Sequence, residues 1–90
     1  MKTNTIQEDI LFFLYRKNYF NKHHTPVINV CNKLSRIPCK EIKKELKNLN
    51  KLYLVGIKPT AHGKDVFLNI GMIDEIEKII SKKLDELEAL

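Results

Sequence analysis

Residues 37–70, IPCKEIKKELKNLNKLYLVGIKPTAHGKDVFLNI, restrict the fold more than any other stretch of the chain. Two hydrophobic periods meet there without a linker. From Pro38 to about Leu52 the apolar residues recur at helical spacing, and from Tyr53 onward they alternate at the period of a strand. At roughly 100° per residue, Ile42, Leu46 and Leu49 fall within about 60° of one another, one stripe to bury. Lys40, Lys43, Lys44, Lys47 and Lys51 fall within about 100° on the opposite side, with Glu41 and Glu45 to one side of that arc. A strand over 53–58 follows. The turn Pro59-Thr60-Ala61-His62-Gly63 has the proline and glycine of a hairpin tip. The return strand alternates Val66, Leu68 and Ile70 against Phe67 and Asn69. A lysine-faced helix therefore runs straight into a two-stranded ribbon with a basic tip.

The flanks read as helices. Thr5-x-x-Glu8 matches a capping box, so the first helix is expected near Thr5. Ile6, Ile10, Phe13 and Leu14 make one apolar face, and Phe12, Tyr15 and Tyr19 a second, more than a small domain needs on one helix. Residues 21–26 form a loop, with Thr25 to cap a second helix and Pro26 in its first turn. Val27, Val30, Cys31 and Leu34 give that helix its buried stripe. Residues 35–37 are a short turn, and Pro38 opens the lysine-faced helix. After Gly71 a last helix starts at Asp74, whose acidic first turn suits the helix dipole. Its stripe is Ile73, Ile76, Ile79, Ile80, Leu84, Leu87 and Leu90, over about 17 residues or roughly 25 Å. No strict heptad is kept, so a packed dimer helix is expected rather than a long coiled coil.

Ninety residues bound the chain to one compact unit, read as a body over 1–72 and a final helix over 73–90. An apolar content of 43% and a charged content of 30% fit a folded chain. The net charge of +5 is uneven: residues 1–73 carry 13 Lys/Arg against 5 acids, and residues 74–90 carry 3 against 6. A basic body implies an anionic partner, and the acidic helix a separate task. No apolar run is long enough for a membrane span, and the start has no secretory h-region. Cys31 and Cys39, eight apart, match neither a disulfide framework nor a zinc pattern, so a reducing cytoplasm is the expected setting. Fourteen lysines against two arginines, with many Asn and Ile, hint at an AT-rich microbial or viral genome.

Helix, short helix, turn, basic helix, hairpin and long final helix, nearly the whole chain, resembles the winged helix-turn-helix transcription regulators, an α+β, mostly helical fold. Ile37, Ile42, Leu46, Leu49, Leu54 and Val55 stand at the apolar positions of that family's third helix and its "LxxLxxxxLV" ending. HGKDVFLNIG is similar to the wing return of the MarR-like and SarA-like groups, D-x-R-x-V-x-L-x-L-T, with Val66, Leu68 and Ile70 at the matching positions. The family Asp falls on His62, its Arg on Lys64, its closing Thr on Gly71, and the glycine often found before "LV" on Tyr53. The resemblance implies a homodimeric repressor of transcription that binds double-stranded DNA.

The expected DNA contacts are Arg36, Lys40, Lys43, Lys44, Lys47 and Lys51 around the third helix, and Lys58, His62 and Lys64 on the wing. Lysines neutralise phosphates and reach guanine edges, whereas a solubilising surface helix is the plainer alternative. Five lysines with no acid inside their arc favour DNA. The dimer is expected to use Phe12, Tyr15, Tyr19, Ile76, Ile80, Leu84 and Leu87. Cys31 reads as core, and Cys39 as half-buried packing or, less simply, a redox sensor. His23-His24 lack a third ligand at metal spacing. No catalytic motif, cofactor, metal site or predictable small-molecule ligand is present. Two other uses of the same surface remain: a replication, partition or architectural role on plasmid or viral DNA, and a winged helix that binds only proteins.

Overall fold

Asn4 and Gln7 start the first helix in the computed structural model, which describes residues 2–89. The Gln7 amide N–H donates to Asn4 Oδ1 at 2.8 Å, and the Asn4 N–H donates to Gln7 Oε1 at 3.1 Å. The reciprocal cap thus lies one residue before the expected Thr5/Glu8 pair. Helix α1 runs Thr5–Arg16. Asn18, at φ 60, ends it: Tyr19 N–H donates to Leu14 O and Asn18 N–H to Tyr15 O, a Schellman closure with asparagine in the left-handed position.

Thr25 does not cap the next helix. Thr25–Pro26 pair with Val66 and Asp65 as a two-residue strand β1, and Pro26 itself stands at the cap of α2, Val27–Lys33. Buried Thr25 accepts at Oγ1 from the Asn29 amide instead. Helix α3 is Cys39–Lys51 and ends like α1. Leu54 N–H donates to Leu49 O and Tyr53 N–H to Asn50 O, with Tyr53 at φ 63. Leu49 and Leu54 are both fully buried, which supplies the apolar contact of that motif.

The chain then enters the hairpin of β2, Val55–Thr60, and β3, Gly63–Leu68: β2 begins and ends two residues later than the expected 53–58, while β3 takes in Gly63 from the expected turn and stops at Leu68, before Ile70. The sheet is antiparallel in the order β1-β3-β2. Register runs from Val55↔Leu68 to Thr60↔Gly63 and sets Gly56 opposite Phe67. The Phe67 ring lies over that glycine so closely that a Cβ would stand 2.2 Å from it. A 3-10 turn, Ile70–Met72, capped by Asn69 Oδ1 on the Gly71 N–H, leads into α4, Ile73–Glu88.

One core joins all of these. Ile10, Leu11 and Leu14 of α1, Val30 of α2, Ile42 and Leu49 of α3, Val66 and Leu68 of β3, and Ile76 and Ile80 of α4 are each 0% exposed. That corrects the dimer reading for Ile76 and Ile80: both are consumed by the chain's own core, chiefly against α1, and have no surface left for a second copy. The stripe's last residue, Leu90, lies outside the described residues.

The cysteines correct the sequence reading too. Cys31 at the end of α2 and Cys39 at the start of α3 are disulfide-bonded, with Cα atoms 5.1 Å apart. Neither is a free thiol, so the inference of a reducing setting loses its basis. No helix among the described residues is long and apolar enough to cross a membrane.

Candidate nucleic-acid interface

Lys40, Lys43, Lys44, Lys47 and Lys51 are all exposed, because the other side of α3 is taken up by Ile42, Glu45, Leu46 and Leu49. Glu45 fixes that rotation. Its Oε1 accepts from Gln7 Nε2 and from Asn48 Nδ2, both at 3.0 Å, so the start of α1 is tied to the middle of α3. Chiefly the Asn48 hydrogen bond, with smaller help from Asn4, Gln7 and the Lys44 charge, holds the carboxyl below the ordinary carboxylate range despite its burial. The acid is thereby turned inward, away from the lysines.

The wing stands beside this helix. Its tip is held by Thr60, whose hydroxyl donates to Gly63 O and accepts from the His62 N–H. Gly63 at φ 134 takes the backbone conformation that a side chain disfavours. Lys58, His62 and Lys64 are exposed. The base of the wing is braced by His24, whose Nδ1 lies 2.6 Å from Asp65 Oδ2, and the His23 ring packs against Tyr19. The two histidines therefore face different partners, and no cluster of three metal-ligating residues occurs among the described residues.

An open groove of about 600 Å³ separates α2 and α3 from the wing. Val27, Leu46, Ile57 and Val66 contribute its apolar lining, and Lys43, Lys47, His62 and Lys64 its basic edge. Sequence reasoning anticipated those four as one surface. It missed Ile28, which lines the same groove while 60% exposed and belongs to no buried stripe. Lys40, Lys44, Lys51 and Lys58 lie outside the lining of this groove. Arg36 lies elsewhere, in a separate groove with Phe12, Phe13 and Arg16.

The remaining residues of the expected dimer surface are distributed as follows. Phe12 is half-buried under Arg16 and Lys83. Tyr15 donates its hydroxyl to Glu77 of α4, and that bond raises its phenol pKa above the ordinary value. Tyr19 packs on Phe13. Leu84 is half-buried, and Leu87, 39% exposed, is the open end of the stripe.

A helix-turn-helix whose second helix is followed by a β-hairpin, with a third short strand on the hairpin's inner edge, is a winged helix. Solved structures of Staphylococcus aureus MepR, a winged-helix transcription regulator of the MarR family, share this fold. A glycine-to-lysine mutant superposes with a TM-score of 0.72 at 20% identity, over 97% of this chain and 62% of that one. A phenylalanine-to-leucine mutant bound to an oligodeoxyribonucleotide gives 0.70 at 19% identity, over 96% and 61%. MepR bound to ethidium bromide gives 0.69 at 20%, over 99% and 62%. The chain thus spans about 62% of the length of these proteins. No protein-family profile matches it, and no curated protein sequence does.

Proposed function

We propose that the chain is a double-stranded DNA-binding protein that regulates transcription, acting as a homodimeric repressor. The observation that carries this reading is the exposed lysine face of α3 together with the basic edge of the wing groove. Helix α3 enters the major groove, where Lys43 and Lys47 reach phosphates or guanine edges and Lys40, Lys44 and Lys51 neutralise phosphates along the walls. Lys58, His62 and Lys64 touch the flanking backbone or minor groove. One solved protein of this fold carries an oligodeoxyribonucleotide, which supports the docking mode. Two copies imply a site with two-fold symmetry and half-sites about one helical turn apart or a multiple of it. Phe12, Tyr19, Leu84 and Leu87 remain the apolar candidates for the contact between copies.

One observation favours a second use of the same surface. The α3 face carries lysine where Arg, Asn or Gln would give directional base contacts, which suits phosphate-heavy binding by an architectural or replication protein. Footprinting on the chain's own promoter against random DNA separates the two.

The test of the shared core of both readings is duplex affinity as a function of salt. Contact with about six to ten phosphates gives a loss of roughly 10³–10⁵-fold between 50 and 200 mM. Lys43→Ala with Lys47→Ala is expected to weaken binding and flatten that slope with stability nearly unchanged, since both side chains lie outside the core. A parent with a flat salt response, or a variant that binds like the parent, would remove α3 as the reader.

A further inference from the structure

We infer that the cationic groove between α1 and the α2–α3 turn is the dock for the acidic end of α4 from a second copy of the chain. The inference rests on the homodimer reading above and says where the copies meet.

The groove holds about 590 Å³, and Phe12, Phe13, Leu34 and Ile37 supply its apolar lining. Arg16, Lys17, Lys33 and Arg36 line it as well. Among the described residues none of these four cations has an acid partner. The one acid in the lining, Asp9, is already held by Lys83 at 2.9 Å. An apolar floor under four uncompensated positive charges fits an occupant that is both apolar and anionic.

The end of α4 has that character. Its last turn has no basic residue, and Asp85, Glu86 and Glu88 are exposed around Leu87, which is itself 39% exposed. At roughly 100° per residue, Glu86 and Glu88 flank Leu87 by about 100° on either side. Carboxylates at a helix C-terminus oppose the helix dipole, so this end gains from cations supplied by another element.

The chain's own groove is out of reach. Helix α4 lies antiparallel to α1, with Glu77 beside Tyr15 and Lys83 beside Asp9. Residues 84–88 therefore run on toward the start of α1, away from Arg16 and Lys17 at its end. A two-fold axis beside Phe12 lets each tail cross into the partner's groove, a self-complementary exchange that closes as a dimer. Leu87 then covers apolar lining, and Glu86 and Glu88 meet the arginine and lysine rim.

The experiment is sedimentation equilibrium at low salt on the full chain and three variants: Arg16→Glu with Lys33→Glu, Glu86→Lys with Glu88→Lys, and all four together. All substituted residues are exposed, and circular dichroism checks that helix content is kept. Each one-sided variant is expected to raise the dimer dissociation constant by about tenfold or more, with the four-fold variant recovering most of the loss because the charges are again complementary. A dimeric parent whose one-sided variants are unchanged, or whose four-fold variant recovers nothing, overturns the dock and leaves the dimer to another surface. A groove variant that loses DNA affinity at constant dimer strength overturns it too, in favour of a DNA contact. A parent that is monomeric throughout overturns both the dock and the homodimer reading.

Discussion

Glu45 couples acidity to stability in this fold. Its carboxyl pKa is lowered in the folded chain, first by the Asn48 hydrogen bond, so the folded state binds fewer protons there than the unfolded chain does. The stabilisation is present above the ordinary value of 4.5 and is lost as pH falls through the depressed folded value. Glu45→Gln keeps an oxygen for both donors and is expected to hold neutral stability while flattening the acid response below about pH 4.5. Glu45→Ala strands the buried Gln7 amide and is expected to cost about 1–3 kcal/mol in urea titration. Equal acid sensitivity in the parent and Glu45→Gln would assign the effect to other carboxylates. The same contact explains why the cap lies one residue before the Thr5/Glu8 match. Asn4/Gln7 and Thr5/Glu8 both fit the local pattern, and what distinguishes Gln7 is a bond to a residue 38 positions away, invisible to any window. Tyr53 is the opposite case. The sequence shows a tyrosine where related wings often have glycine, and the structure places it at φ 63. A left-handed non-glycine residue costs about 1 kcal/mol, and at 75% exposure the ring contributes little packing in return. Tyr53→Gly is therefore expected to raise stability by about 0.5–1 kcal/mol, read from the urea midpoint at constant slope. A fall in stability would mean that the tyrosine ring holds the α3–β2 joint.

The bridge between α2 and α3 acts at the scale of the helix pair. It closes a loop of eight residues across the turn that sets the angle at which α3 leaves the body. Closure of so short a loop stabilises by about 2–3 kcal/mol in the chain-entropy view. Reduction, or Cys31→Ser with Cys39→Ser, is expected to lower the unfolding free energy by about that amount while the core residues of both helices keep the elements in place. A denaturation midpoint that does not move on reduction would show the turn to be held by packing alone. Cysteine spacing could not announce this pairing, because eight residues match no motif. The placement was nonetheless partly legible: Cys31 falls on the buried stripe of α2 and Cys39 at the border of the α3 stripe, and two helices that bury those faces against one core bring the borders together. The bounds of helix α3 follow from its sequence to within a residue at each end, since its two faces differ sharply. Helix α4 is where the sequence pattern alone misleads. An apolar stripe states that something must cover it, not whether the cover is the chain's own α1 or a second copy, and Ile76 and Ile80 are covered within the chain's own core, where α4 packs on α1.

Across the whole molecule, the question is whether charge acts as a total or as a surface. A net charge of +5 draws the chain toward any polyanion, whichever face leads. The fold concentrates its α3 lysines on one side with the wing, and leaves α4 with three lysines among six acids in residues 74–90. Lys64→Glu and Lys82→Glu change the total identically, each by two charges, so long-range attraction falls by a similar amount in both. Both residues are exposed, so neither reversal opens the core. They differ only in address: Lys64 lines the wing groove with Lys43 and Lys47, whereas Lys82 stands on α4. Duplex affinity measured at one salt concentration is therefore expected to fall much further for Lys64→Glu. A phosphate contact at the wing is then both lost and replaced by repulsion, and the salt slope drops by about one or more. Lys82→Glu is expected to change affinity little and to leave the slope near the parent's. Equal losses would mean that the chain binds DNA through its overall charge, and that the wing has no special part in it.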